Sequence, residues 1–222
     1  MNLLALDTST EACSCALSIA GELRERSLIA PRRHAELILP MADELLAEAG
    51  MRPQQLDGLA FGCGPGSFTG LRIACGVAQG IAFAADIPVA PISSLATLAQ
   101  AAPAQQVLAA IDARMHEVYW GQYIRDADGL MRLMGEESVC APQQVKPPTT
   151  GHWYGVGSGW LTYASVLQKV LGNKLSHYQG ERYPQAQAMI PLALAAFASG
   201  QVVTAEHALP VYVRNKVVSG EP

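Results

Sequence analysis

Two stretches of this chain open in the same way. Leu3-Leu4-Ala5-Leu6-Asp7 and Val107-Leu108-Ala109-Ala110-Ile111-Asp112 are both apolar runs that end on aspartate. Short apolar runs bounded by polar turns read as buried strands. After the first, residues 13–19 and 23–29 alternate around Gly21 as a hairpin; after the second, residues 117–123 and 130–136 supply two further strands. Each half then reaches an apolar strand entering a glycine turn before a helix, at Leu59-Ala60-Phe61-Gly62-Cys63-Gly64-Pro65-Gly66 and at Trp153-Tyr154-Gly155-Val156-Gly157-Ser158-Gly159. A repeated order of this kind predicts an α/β protein of two related lobes, each a mixed β-sheet with packed helices. The 222 residues, half of them apolar, are enough for such a pair. Pro103 ends a helical stretch just before the second strand run, so the lobes are expected at 1–103 and 104–222.

Between these strands the helical signals are clear. Leu37, Ile38, Met41, Leu45 and Leu46 recur at helical spacing over 32–49, with Pro31 expected in the first turn, Gly50 as the stop and Pro40 as a kink or local break. The strand over 56–62 leads into a helix over 68–85. Residues 87–92 form a strand, after which Ser93 or Ser94 can cap the next helix. Near the end, 190–199 reads as a helix and 210–214 as a short strand or an extended tail. In the 68–85 helix, Gly70, Ala74, Ala78 and Ala82 repeat every four residues, and Gly76 and Gly80 make a second small track. Glycine costs a helix interior about 1 kcal/mol against alanine, so the glycines call for a packing reason. Either the protein's own sheet or a closely crossing helix supplies one. We expect this helix and the 32–49 helix to form an exposed pair that meets a like pair on another chain, through His34, Leu37, Ile38, Met41, Leu45, Gly70, Ile73, Ala74, Val77 and Ala78.

The chemistry-bearing motifs are few. Asp7-Thr8-Ser9, at a strand end, could orient a phosphate or a metal-bound water, or simply cap a turn. In Gly62-Cys63-Gly64-Pro65-Gly66-Ser67-Phe68-Thr69-Gly70-Leu71-Arg72 the glycines bring backbone close to something, and Ser67 can cap the helix. The lysine and spacing of a Walker loop are missing. A nucleotide or phosphate, where one is bound, is expected at Asp7, Thr8, Ser9, Gly64, Gly66 and Asp112. The five histidines (34, 116, 152, 177 and 207) form no His-x-x-x-His pair, and the five cysteines fit no zinc or disulfide spacing, so no local metal nucleus is seen. Cys13 and Cys15 should share a strand face as small buried hydrophobes. The net charge of −4, with basic spots only at Arg32/Arg33 and Arg214/Lys216, disfavours nucleic-acid binding by this chain alone. The N-terminal run turns polar at Asp7 and reads as a strand and not a signal peptide, and no stretch has the ~18 uninterrupted apolar residues of a membrane span. A cytoplasmic protein is expected.

Six segments together resemble one family. DTSTEACSCAL (7–17), PRRHAELILP (31–40), GCGPGSFTGLRIACGVAQGIAF (62–83), IDARMHEVYW (111–120), GVGSGW (155–160) and HALPVYVRN (207–215) are similar to the bacterial TsaB (formerly YeaZ) family of threonylcarbamoyl-tRNA synthesis. Cys63 stands where relatives often carry arginine. The resemblance implies an actin/hexokinase-like (ASKHA) fold of two lobes. It also implies a catalytic sibling, TsaD, whose metal-binding His-x-x-x-His falls at Ser94 and Leu98 here, so that the sibling's chemistry is absent. The implied role is a non-catalytic subunit that heterodimerises with TsaD, is joined by the ATPase TsaE, and reaches tRNA only through the complex. ATP is then expected within that assembly, no cofactor is assigned to this chain, and a homodimer is expected when the chain is alone. Two rival readings are a metal-dependent glycoprotease-like peptidase, which would need stoichiometric metal for turnover, and an autonomous sugar-kinase-like nucleotide binder, which would bind ATP by itself.

Overall fold

The computed structural model describes residues 1–213, so Arg214 and Lys216 lie outside the described residues. The first sheet contains β1 (Leu3–Asp7), β2 (Ala12–Ile19), β3 (Glu22–Ile29), β4 (Gly58–Gly64) and β5 (Val89–Ser93), in the order β3-β2-β1-β4-β5. β1, β4 and β5 are parallel, and β2 and β3 are antiparallel to their neighbours. The second sheet repeats this plan. β6 (Gln106–Arg114) takes the central place of β1. β7 (Glu117–Arg125) pairs antiparallel with it and carries β8 (Met131–Leu133) and β9 (Ser138–Cys140) on its far edge, while β10 (Trp153–Val156) and β11 (Leu175–Gln179) continue in parallel on the other side. The strand expected over 130–136 is thus cut to Met131–Leu133, with Gly135 at φ +82° in the turn that follows, and β9 lies beyond the expected range.

Side-chain alternation decides which helices each sheet face accepts. Along β1, Leu4 and Leu6 point to one face with Cys13, Cys15 and Leu17 of β2 and Leu59 and Phe61 of β4. There they meet α1 (His34–Glu48) and α2 (Phe68–Ala85). The opposite face is floored by Leu3, Ala5, Ala16, Ala60 and Ala90, and its small side chains let α5 (Ala186–Ala198) approach closely. Cys13 and Cys15 do share a face, in the core.

The lobe boundary departs from expectation. α3 (Ser94–Gln100) follows β5 but buries Leu95, Leu98 and Ala99 against Val107, Ala109, Tyr123 and Met131 of the second lobe. α5 follows β11 but packs on the first sheet, as do Ala205 and Ala208. The two lobes therefore exchange a helix each. The expected division at 103/104 separates each of these helices from the sheet on which it buries its apolar face, because each finds its apolar complement on the other sheet. α4 (Ser158–Leu171) covers the second sheet with Trp160 at the centre.

Local expectations also shift. Pro31 lies three residues ahead of α1, in a turn where Arg32 has φ +68° and Arg33 N–H donates to the Ala30 carbonyl. α1 runs unbroken through Pro40, which faces solvent, so the Glu36 carbonyl left without a helix donor is not sealed in the core. Gly50, with φ +63°, follows the end of α1 as expected. Residues 208–213 form no strand.

Candidate functional site

The glycine loop closes on its own protein. Ser67 N–H donates to the Ser9 carbonyl at 2.7 Å, and the Ser67 hydroxyl accepts from Gly70 N–H at 3.3 Å, capping α2. A Cβ on Gly66 would lie 2.3 Å from the Ser9 carbonyl oxygen, one on Gly70 2.0 Å from that of Thr8, and one on Gly62 2.2 Å from Asp7 Oδ2. These glycines exist so that the β1–β2 turn can lie against the start of α2. Asp7 Oδ1 accepts from both the amide (2.9 Å) and the hydroxyl (2.7 Å) of Ser9, while Thr8 Oγ1 donates to the Gly70 carbonyl at 2.6 Å. Asp7 is fully buried, and its Oδ2 has no hydrogen-bond partner among the described residues. Burial pushes its carboxyl up to about 6 despite the two Ser9 bonds that pull it down.

Between the lobes lies a cavity of about 450 Å³. Its walls are Ser9, Thr10 and Glu11 of the β1–β2 turn, Arg32 and His34 at the start of α1, Gly66 to Phe68 of the loop, Ile111 to Met115 with Tyr119 from the second lobe, and Val211 to Val213. Arg114 spans its mouth, with Nη2 2.7 Å from Glu11 Oε1 and Nη1 3.4 Å from Asp112 Oδ2. Of the six residues expected to hold a phosphate, Ser9, Gly66 and Asp112 line this space. Asp7, Thr8 and Gly64 do not; they are buried behind it, against the β1–β2 turn, α2 and the C-terminal segment. The C-terminal segment straps the loop from outside: Val211 N–H donates to the Cys63 carbonyl at 2.7 Å, and Tyr212 meets the Phe68 ring and the Arg72 guanidinium.

The helix pair lies on the outer face of the first sheet. Six of the ten residues expected at its partner surface, His34, Ile38, Leu45, Gly70, Ala74 and Ala78, are turned inward and buried in the protomer, and for these the assignment is corrected. The small-residue track packs on the sheet, the alternative left open from sequence. Leu37, Met41, Ile73 and Val77 are half-buried at the rim of the core. Outward stand residues the expected set omitted: Leu39 of α1, and Gly76, Gly80 and Phe83 of α2. Phe83 is 82% exposed, and a Cβ on Gly76 or Gly80 would meet nothing within 4 Å. The second glycine track was readable in the sequence, but which track faces out was not. By length and composition α2 is the one helix among the described residues that could cross a membrane; its inner side instead carries core residues of the first lobe.

Of the two positions expected to replace the sibling's histidines, Ser94 opens α3 with its hydroxyl buried and unpartnered among the described residues, and Leu98 fills the second lobe's core. Among the described residues no three His, Cys, Asp or Glu side chains are grouped to hold a metal. Burial pushes the Cys63 thiol, between Asp7 and Glu137, up to about 12.

With this geometry in view, relatives decide the family. The chain is 44% identical to the tRNA threonylcarbamoyladenosine biosynthesis protein TsaB of Escherichia coli, over 98% of this chain and 96% of that protein. It belongs to the TsaB family. The Haemophilus influenzae TsaB protein is 43% identical over 98% of this chain and 95% of its own length. The structure titled YeaZ from Pseudomonas aeruginosa superposes with a TM-score of 0.89 at 47% identity, covering 95% of this chain and 99% of that one. Residues 28–196 also match the family model described as TsaD, tRNA N6-adenosine threonylcarbamoyltransferase, so this TsaB-family chain belongs as well to the wider family named for that transferase. The two-lobed ASKHA-like fold agrees with both.

Proposed function

We propose that this chain works in the biosynthesis of threonylcarbamoyladenosine in tRNA, as a non-catalytic cytoplasmic subunit that pairs with the transferase TsaD and is joined by the ATPase TsaE. The observation that carries the reading is the outer face of α2, where half-buried Ile73 and Val77 flank open Gly76 and Gly80 and lead to exposed Phe83. Two exposed glycines spaced by four residues weaken a helix by about 2 kcal/mol in sum, and they let a second helix backbone come close. The same face supports a homodimer when the chain is alone. The leucine at position 98, where the sibling's second histidine falls, supports a role without metal-dependent turnover. tRNA is reached through the assembly, and nucleotide within it.

The test is gel filtration of the purified chain mixed with TsaD. Gly76→Trp is expected to abolish co-elution while leaving the far-ultraviolet spectrum unchanged. A Gly76→Trp protein that co-elutes normally would overturn this face. Metal-dependent peptide hydrolysis by the isolated chain would overturn the non-catalytic role.

A further inference from the structure

Ser93 stands where the chain crosses from one lobe to the other. It is the last residue of β5 in the first sheet and the N-cap of α3, which packs in the second lobe. Its hydroxyl accepts from Ala96 N–H at 3.1 Å and donates to Glu137 Oε1. The same carboxylate oxygen accepts from the Tyr123 hydroxyl of β7. One oxygen therefore gathers a donor from the crossover and a donor from the second sheet.

The setting gives this carboxylate few other partners. Among the described residues no cationic side chain shares a hydrogen bond or ion pair with Glu137, and its charged neighbour on β4 would be Cys63, a thiol held neutral by burial. Burial raises the Glu137 carboxyl above the ordinary carboxylate range, and the Ser93 and Tyr123 hydroxyls act against that by stabilising its ionised form, so the two hydroxyls are the groups that hold it. Glu137 is also two residues from Val139, which pairs with Tyr119 on the wall of the interlobe cavity.

We propose that Glu137 is a positioning residue that pins the crossover at Ser93 to the second lobe, fixing the start of α3 and with it the angle between lobes that shapes the cavity. The pin is mechanical. Glu137 orients the Ser93 hydroxyl so that its lone pairs face α3, and Tyr123 fixes the carboxylate from the other side. Losing the acceptor frees both hydroxyls and loosens the cap and the crossover together.

Hydrogen exchange on the full chain tests this with three variants. Glu137→Ala should speed exchange at Ala96 and at Asp112 to Met115 by about tenfold, the equivalent of one charge-assisted bond of ~1.5 kcal/mol. Glu137→Gln retains a neutral acceptor and should rescue part of the effect. Ser93→Ala should reproduce the increase at the cavity loop, which also serves where the Glu137→Ala protein does not fold. The proposal is overturned by faster exchange confined to residues 134–140, by Gln behaving like Ala, or by Ser93→Ala leaving Asp112 to Met115 at the parent rate.

Discussion

Asp7 makes the stability of this protein depend on pH. Its folded value near 6 lies above the ordinary 3.8, so the folded protein binds this proton more tightly than the unfolded chain. Stability from the neutral acid is fully present below about pH 4 and is lost as pH rises through 6. A shift of this size corresponds to about 2–3 kcal/mol at most. Asp7→Asn keeps an acceptor for Ser9 and places a neutral donor beside the unpartnered Ser94 hydroxyl. Its unfolding free energy should therefore exceed the parent's at pH 8 and match it near pH 4; equal differences at both values, from urea titrations, would refute the assignment. Nothing in the string Asp7-Thr8-Ser9 distinguishes a ligand-binding carboxylate from this internal one. The distinction rests on Gly62 and Ser94, which only the parallel pairing of β1 with β4 and β4 with β5 brings beside it.

At the level of elements, α2 separates glycines that look alike in sequence. Gly70→Ala should destabilise by more than 2 kcal/mol, since its Cβ would overlap the Thr8 carbonyl and the backbone must move. Gly76→Ala meets open space and should stabilise by about 0.5–1 kcal/mol through helix propensity. Thermal denaturation of the two variants checks the orientation of the whole helix, because a helix rotated by half a turn would reverse the two signs. By the same logic Ala74→Trp, at a position with no exposure, should unfold the protein and cannot probe a partner surface, whereas Gly76→Trp can. Ser67→Ala should cost about 1 kcal/mol as a lost cap. The extent of α2 was legible from its apolar spacing and capping serine. Its exposed side was not, because both small tracks satisfy the spacing rule and only the sheet beneath selects one.

At the scale of the molecule, the helix exchange makes each lobe depend on the other's chain segment. A fragment ending at residue 103 retains the first sheet but lacks α5, leaving Leu3, Ala5, Ala16, Ala60 and Ala90 bare on one face. It should show no cooperative unfolding transition, whereas adding residues 186–213 as a separate peptide should restore one; a well-folded 1–103 fragment by circular dichroism and calorimetry would contradict the exchange. Arg114, by contrast, makes an exposed bridge to Glu11 across the cavity mouth, and Arg114→Ala should change stability by under ~1 kcal/mol.

The repeated march from an apolar run ending in aspartate, through a hairpin, to a strand and glycine turn was enough to place two related mixed sheets. Strand and helix periodicities are local, and they survive translation from string to structure. Cys13 and Cys15 on one face, a capping serine at 93 or 94 and α2 over 68–85 follow from spacing alone, and the structure selects Ser93. The allocation of α3 and α5 to opposite lobes, the inward turn of Gly70 and Ala74, and the burial of Asp7 depend on which surfaces meet across long separations. Those were decided by complementary packing: an alanine-floored sheet face that only a close helix can cover, and a polar turn that only glycine backbone can approach.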